Sequence, residues 1–408
     1  MALATNLVGS LNDKPEVATM CCVLLKKYFL DKRAAKQLQE AELVELLQAV
    51  QQSIQQGLDS QPLSLLKQKG DVLTRVYTSL GKTQELLSML ASMMPQENPK
   101  VRIFAMHCFE VLADVSKDIT ALAQMANDFK VVFEQGLKDA DNNVRVASLR
   151  AVTCFLASLE DQEIVLKFVP TLEFILTIIV EALKTDEESG RVGLESLQEL
   201  TNAHAEIWKN PSKLLSITSE VMKHKGFQDG TRSAACEVIL ALSQNMPAVL
   251  RKAPEMKSAI FPALAMMLLE VETETQTWEE AIEDVDMTGK DPVSTAMQAL
   301  LRLSQDLGAK TTMACSDHII AELLQSVKQQ EPDWIKVQAG FTMMGVLSNA
   351  TAGNKQYMQS ALQSFLSLNC RHIRVQYAAL LAMGMIFANW APYVQKHFHQ
   401  NFLPMLVN

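Results

Sequence analysis

A short phrase recurs along the chain and constrains its fold more than any other feature. An aliphatic, a basic and a second aliphatic residue open a helical segment rich in small residues, as in Val144-Arg145-Val146 and Ile373-Arg374-Val375. The basic position recurs at steps of 38 to 46 residues, apart from one gap of 104 residues. Repetition at such a period indicates an array of stacked structural units.

Each repeat has the pattern of two helices joined by a polar turn. Residues 118–139 show the apolar periodicity of a first helix, and Asp141 lies in the turn as a cap for the second helix. Good helix formers dominate, and the 408 residues include only 15 glycines and 13 prolines. A period near 40 with two helices is typical of HEAT or armadillo repeats. We therefore predict an all-α protein, a right-handed α-solenoid of about nine HEAT repeats.

Two regions depart from this pattern. Neither end of the chain resembles a polar capping repeat, so we expect residues 1–408 to form a single array that is a fragment of a longer solenoid. The gap of 104 residues contains the segment 270–292, which carries nine carboxylates and one lysine. This composition predicts an acidic insertion within the array.

The basic residue of each phrase falls in the first turn of a helix, where the helix dipole disfavours a cation. Stacking would bring it close to the Asp of the neighbouring turn. We therefore predict a structural ladder between repeats, although a basic track for an acidic or phosphate ligand is the alternative. The residues concerned are Arg102, Arg145, Arg191, Arg232, Lys336 and Arg374.

Charge and motifs restrict the function. The net charge of −9 disfavours binding of nucleic acid or of an anionic membrane, but permits a basic partner. No paired-cysteine metal motif, phosphate-binding glycine loop or catalytic serine motif occurs. We predict a protein that is not an enzyme and has no catalytic residue, metal or cofactor.

The acidic insertion has two interpretations. It is either a charged loop that aids solubility or a surface that recognises a basic partner electrostatically, with a tryptophan as anchor. The candidate partner-binding residues are Trp278, Glu279, Glu280, Glu283, Asp284 and Asp286.

Three later segments resemble one protein family. The segment "EPDWIKVQAGFTMMGVLSNA" is similar to a repeat of importin-beta-like transport receptors, in particular the importin-5 (karyopherin-beta-3) branch. The segments "RHIRVQYAALLAMGMIFANWAPYVQKHFHQ" and "MKSAIFPALAMMLLEVETETQTWEEAIED" resemble further repeats, in the order and at the spacing of that branch. The detailed match covers residues 230–408, and "PEVATMCCVLLKKYF" is similar to the first repeat of the family.

The resemblance implies the N-terminal portion of a monomeric nuclear transport receptor that shuttles between cytoplasm and nucleus through the nuclear pore. Its implied partners are basic nuclear-localisation-signal cargo, the GTPase Ran in its GTP form and Phe-Gly nucleoporins. No nucleic acid or membrane is implied.

The chain departs from this family at Leu381 and Met385, where the family usually has Asn and Gln. If these positions line the cargo groove, this chain would make weaker polar contacts with cargo than the family does. Two other functions are compatible with the repeats: a HEAT scaffold such as a phosphatase regulatory subunit, without dependence on Ran, and a solenoid attached to an enzyme domain.

Overall fold

The repeats fold into pairs of helices. The computed structural model describes residues 10–12, 14–30, 39–115, 119–271, 273, 291–329 and 331–407, and within these ranges every regular element is helical. The chain divides into two compact units, residues 1–207 and 208–408. We describe each unit by itself.

The described residues of unit 1 form nine long helices. They are α1 (Pro15–Leu30), α2 (Glu40–Gly57), α3 (Leu63–Ser79), α4 (Thr83–Met93), α5 (Pro99–Val115), α6 (Ala126–Leu137), α7 (Asn142–Ser158), α8 (Leu172–Thr185) and α9 (Glu187–Ala203). Short helices at Ile119–Gln124 and Gln162–Leu166 precede α6 and α8.

In unit 2, the part of the chain that the structure describes forms nine further helices. They are α10 (Ser212–Lys223), α11 (Asp229–Asn245), α12 (Phe261–Leu268), α13 (Pro292–Leu307), α14 (Ala309–Leu323), α15 (Trp334–Val346), α16 (Lys355–Leu366), α17 (Ile373–Asn389) and α18 (Tyr393–Val407). A π-helical turn, Met256–Ile260, leads into α12.

In both units, even-numbered helices are the first helices of the pairs and odd-numbered helices are the second. The second helices lie side by side within each unit, α1 to α9 in unit 1 and α11 to α17 in unit 2. Seven of the first helices pack on the second helix of their own pair, and these are α2, α4, α6, α8, α10, α12 and α14. The first helix α16 packs on α15 through the stacked rings of Phe365 and Phe341. The described residues thus form eight complete pairs, with a single helix at either end, which confirms the predicted all-α solenoid of about nine units. That residues 1–408 form a single array stays a prediction.

Local sequence fixes where several second helices begin. The Asp141 carboxylate caps α7 by accepting hydrogen bonds from the backbone N–H groups of Asn143 and Val144. Asp291 caps α13 in the same way, and Pro292 follows as its first residue, where a missing N–H costs little. Such caps satisfy the first N–H groups, which have no partner within the helix.

The core lies between the two helices of each pair and between neighbouring pairs. In unit 1, the rings of Phe109, Phe129, Phe133 and Phe155 pack with centroids 4.8 to 5.7 Å apart and join α5, α6 and α7. In unit 2, Gly345 of α15 allows α17 to approach closely, because a Cβ atom on Gly345 would lie 2.7 Å from the Ala382 Cα. The small residue at this last contact allows the close spacing of α15 and α17.

Candidate partner-binding sites

The acidic insertion lies within one helical pair. It follows α12 and ends at the start of α13, so it occupies the turn between a first and a second helix. The gap of 104 residues therefore holds one extra pair, lengthened by this segment. Its six candidate residues lie outside the described part of the chain, and these are Trp278, Glu279, Glu280, Glu283, Asp284 and Asp286.

Both ends of the insertion are held by specific contacts. The Arg232 guanidinium of α11 donates to both oxygens of Glu270, at 2.7 and 2.8 Å, and its Nε donates to the Met222 carbonyl at 2.8 Å. Arg232 is only 2% exposed. At the other end, Asp291 is engaged as the cap of α13. The acidic segment therefore leaves and re-enters the solenoid at fixed points.

Two further basic residues of the recurring phrase contact the following repeat in unit 1. Arg102 of α5 forms a bidentate pair with Asp139, in the turn before α7, at 2.7 and 2.9 Å. Hydrogen bonds from Arg102 help to lower the pKa of Asp139 below its ordinary value, although burial of this carboxyl acts in the opposite direction. Arg145 of α7 pairs with Glu181 of α8 at 2.9 Å. With Arg232, three members of the set join successive repeats through carboxylates.

The other members of the set have different contacts. Arg191 pairs with Glu188 and Glu195 of its own helix. Lys336 lies 3.5 Å from Asp333, one turn away on the exposed side of α15. Neither residue reaches the next repeat through these pairs. The continuous ladder expected from the spacing is therefore interrupted at these two positions.

Arg374 contacts the preceding repeat through an aromatic ring. Its guanidinium lies 5.7 Å from the centroid of Trp334, whose other neighbour is the His372 ring, stacked at 4.2 Å. A guanidinium over an indole is a favourable cation–π arrangement. The two departures from the family pattern, Leu381 and Met385, lie later on the same helix and are both half-buried.

A chain of charges that the sequence patterns did not reveal crosses four second helices of unit 1. Lys26 of α1 bonds to Asp71 of α3 at 2.6 Å, and Asp71 bonds to His107 Nε2 of α5 at 2.7 Å. His107 lies 3.6 Å from Glu110, which accepts a 2.6 Å bond from Arg150 of α7. In the sequence, His107 follows Asp71 by 36 residues and Arg150 follows Glu110 by 40 residues. Each separation is about the length of one repeat. A search for opposite charges at that separation would have found them.

The chain of charges shifts the protonation of its members. Burial raises the pKa of Asp71, but the hydrogen bonds from His107 and Lys26 outweigh this and hold its pKa below the ordinary value. Burial also lowers the pKa of His107, yet bonds to Asp71 and Glu110 dominate and raise it. The network therefore favours the charged forms of both Asp71 and His107. Its contribution to the stability of unit 1 is largest at pH values between the ordinary pKa values of Asp and His.

A groove of about 450 Å³ separates two first helices of unit 2. It lies between α14 and α16 and is lined by apolar and polar side chains in similar measure. Tyr357 is buried at its base and donates a hydrogen bond to the Met344 carbonyl at 3.3 Å. The apolar lining residues include Met313, Ile320, Ala321, Leu324, Met344 and Ala361.

Clusters of metal-ligating side chains and membrane-spanning helices are both absent from the described part of the chain. Its His, Cys, Asp and Glu side chains form no group of three that could hold a metal ion. Its helices include none that is both long and apolar enough to cross a membrane.

Comparison with known proteins places the chain in a family. A model described as IPO5-like, TPR repeats matches residues 73–215, and a model described as Importin repeat matches residues 224–315. The importin subunit beta-3 of Saccharomyces cerevisiae is 25% identical in an alignment of 381 residues that covers 89% of this chain and 33% of the relative. The chain thus spans about a third of the length of this curated relative.

Solved structures of Kap121p have the same fold. Free Kap121p matches with a TM-score of 0.83 and 22% identity, over 100% of this chain and 39% of that chain. Kap121p bound to RanGTP matches over the same shares with a TM-score of 0.83 and 20% identity. Kap121p bound to Nup53p matches likewise, with a TM-score of 0.82 and 21% identity.

Proposed function

Because this chain belongs to the importin-beta superfamily, in its importin-5 branch, we propose that it is part of a nuclear transport receptor. The receptor binds cargo that carries a basic nuclear-localisation signal and moves it through the nuclear pore. Ran in its GTP form binds the receptor and releases the cargo. The observation that carries the proposal is the match of two importin-type repeat models to successive parts of one helical-repeat chain.

The physical character of the chain supports a receptor that acts by binding. A stack of helical pairs exposes long surfaces to other proteins, and each pair adds to the same surface. The net charge of −9 suits partners that are basic. As in other receptors of this family, we propose no catalytic role, a monomeric state and shuttling between cytoplasm and nucleus. Residues 1–408 act as one array within this receptor.

The acidic insertion is proposed as a contact for a basic partner. Its charge, nine carboxylates against one lysine, complements a basic signal or a basic face of Ran. The anchors at Glu270 and Asp291 fix where it leaves the solenoid. In this proposal Trp278 packs against the partner, while Glu279, Glu280, Glu283, Asp284 and Asp286 supply the charge.

The groove between α14 and α16 is proposed to take the phenylalanine of a Phe-Gly nucleoporin. Its volume of about 450 Å³ is ample for an aromatic ring. The flexible thioethers of Met313 and Met344 adapt to an inserted ring and form favourable sulfur–aromatic contacts. A site on first helices leaves the second helices of the array accessible to other partners.

Release of cargo follows from thermodynamic coupling. If Ran-GTP and cargo bind different states of one receptor, each lowers the affinity of the other by the same factor. Coupling of about 1–3 kcal/mol changes affinity roughly 5- to 150-fold. This magnitude suffices for a switch that depends on which nucleotide Ran carries.

The role of the insertion is tested by neutralising its charge. In the variant Glu279→Gln, Glu280→Gln, Glu283→Gln and Asp284→Asn, we expect the affinity for a fluorescent Lys-rich signal peptide to fall about tenfold, because the attraction between opposite charges is lost. Fluorescence anisotropy with the 408-residue chain gives the dissociation constant.

A matched variant neutralises four exposed carboxylates elsewhere, at Glu16, Glu40, Glu97 and Glu160. We expect it to bind within about twofold of the wild type, since these groups are far along the chain from the insertion. Equal weakening in both variants would show a general charge effect and would remove the insertion from the proposed site.

A further inference from the structure

A second cavity of about 450 Å³ lies on unit 1, across the N-terminal ends of four second helices. It is lined by residues of α3, α5, α7 and α9, together with the turn before α7. Three cationic side chains face it: Lys67 of α3, Lys100 of α5 and Arg150 of α7. The cavity is therefore a basic groove on a chain whose net charge is −9.

The acidic residues that line this basic groove are engaged elsewhere. Asp141 accepts hydrogen bonds from two backbone N–H groups as the cap of α7. Glu188 is paired with Arg191. Glu110, beside the groove, is paired with Arg150 and His107. Among the described residues, no ion pair joins any of these carboxylates to Lys67 or Lys100.

Lys67 and Lys100 have no carboxylate partner among the described residues, although both are half-buried. Burial lowers the pKa of Lys67, and the positive charge of Arg150 lowers it further, whereas Glu110 acts in the opposite direction. The N-termini of four helices add partial positive charge at the same place. The lining thus carries three cationic side chains against two carboxylates, Asp141 and Glu188.

We propose that the basic groove binds an acidic segment of a protein partner, with carboxylates of the segment at Lys67 and Lys100. Neighbouring helices lie about 8–10 Å apart, so a peptide crossing four of them needs roughly eight or nine extended residues. Leu63, Val146 and Val192 give the groove an apolar lining for side-chain methylenes. The site goes beyond the proposed function, since its ligand is opposite in charge to basic cargo.

The same observations favour a polypeptide over a nucleic acid. Proteins that hold nucleic acid by its backbone commonly contact about 6–10 phosphates, whereas this groove offers three cationic side chains. The negative charge of the rest of the chain repels a long polyanion. A short acidic peptide meets the positive charge without that penalty.

The test measures binding of a short fluorescent Glu-rich peptide to the 408-residue chain by anisotropy. We expect saturable binding that weakens with added salt, and no binding of the same peptide with Gln in place of Glu. In the variant Lys67→Glu with Lys100→Glu, affinity should fall at least about tenfold, because two attractions become repulsions. The neutral variant Lys67→Gln with Lys100→Gln should lie between this variant and the wild type.

A matched control reverses two exposed lysines outside the groove, Lys225→Glu with Lys252→Glu. Its affinity should stay within about twofold of the wild type, and circular dichroism should show all variants folded. The proposal is overturned if the wild type does not bind the Glu-rich peptide, if the control loses as much affinity as the groove variant, or if inorganic phosphate or an oligonucleotide binds the groove and the peptide does not.

Discussion

At the scale of single residues, Arg232 illustrates how the recurring basic position works within unit 2. Its side chain is buried, and every nitrogen is engaged by Glu270 or by the Met222 carbonyl. Removing one partner of a buried pair leaves the other charge without compensation. The contact also closes the turn from which the acidic insertion departs.

Replacing Arg232 with alanine should therefore destabilise the protein. We expect Arg232→Ala to lower the free energy of unfolding by about 2–4 kcal/mol, measured by urea denaturation followed by circular dichroism. Arg191→Ala is the matched control, because Arg191 occupies the same position of its repeat but forms exposed pairs within its own helix. It should unfold at nearly the same urea concentration as the wild type. Similar losses in both variants would show that the contact between repeats has no special role.

The sequence predicted which residues occupy the recurring position, but not their partners. The period places Arg102, Arg145 and Arg232 in the first turn of a second helix, as observed. An Asp in the neighbouring turn was expected, and Arg102 has one in Asp139. Arg145 and Arg232 instead reach glutamates near the ends of first helices. The register of one helix against the next decides such contacts, and a single period does not encode it.

At the scale of helices, close approach between neighbours depends on small residues. Gly345 of α15 lies against the Ala382 backbone of α17, and an added Cβ atom would be 2.7 Å from that Cα. Gly384 of α17 has nothing within 4 Å of the equivalent Cβ position. These two glycines lie in adjacent helices and differ only in the space that a side chain would have.

Alanine substitutions at Gly345 and Gly384 distinguish the effect of packing on stability from the effect of helix propensity. We expect Gly345→Ala to destabilise the protein by about 1–3 kcal/mol, because backbone of the next helix must move. Gly384→Ala should stabilise it by up to about 1 kcal/mol, since alanine restricts the unfolded chain and favours a helix. Urea midpoints of both variants measure the effect. If Gly345→Ala were as stable as Gly384→Ala, the helices would not be in the contact described.

Most helices were predictable from the sequence, and the groove on unit 1 was not. Apolar periodicity and caps such as Asp141 mark the helical pairs locally. Lys67, Lys100 and Arg150, in contrast, belong to three different repeats and converge only through stacking. Each lies on a helix among other polar residues, so no local pattern distinguishes it.

At the scale of the whole molecule, the period and the family resemblance together predicted the fold class and the branch. The first matching model describes TPR repeats, whose period is about 34 residues, whereas steps of 38 to 46 residues in this chain agree better with HEAT units. The acidic insertion at residues 270–292 stays a prediction, and the structure adds that this segment lies between α12 and α13, the two helices of one pair. Its contacts with a partner stay a proposal.

In the proposed receptor, the binding of cargo and the binding of Ran-GTP are coupled. The most direct measurement follows the anisotropy of a fluorescent basic signal peptide bound to the full-length natural protein while Ran is added. We expect Ran loaded with a non-hydrolysable GTP analogue to displace the peptide and Ran loaded with GDP to leave it bound. Failure of GTP-loaded Ran to bind or to displace the peptide would contradict this coupling and would favour a scaffold that does not depend on Ran.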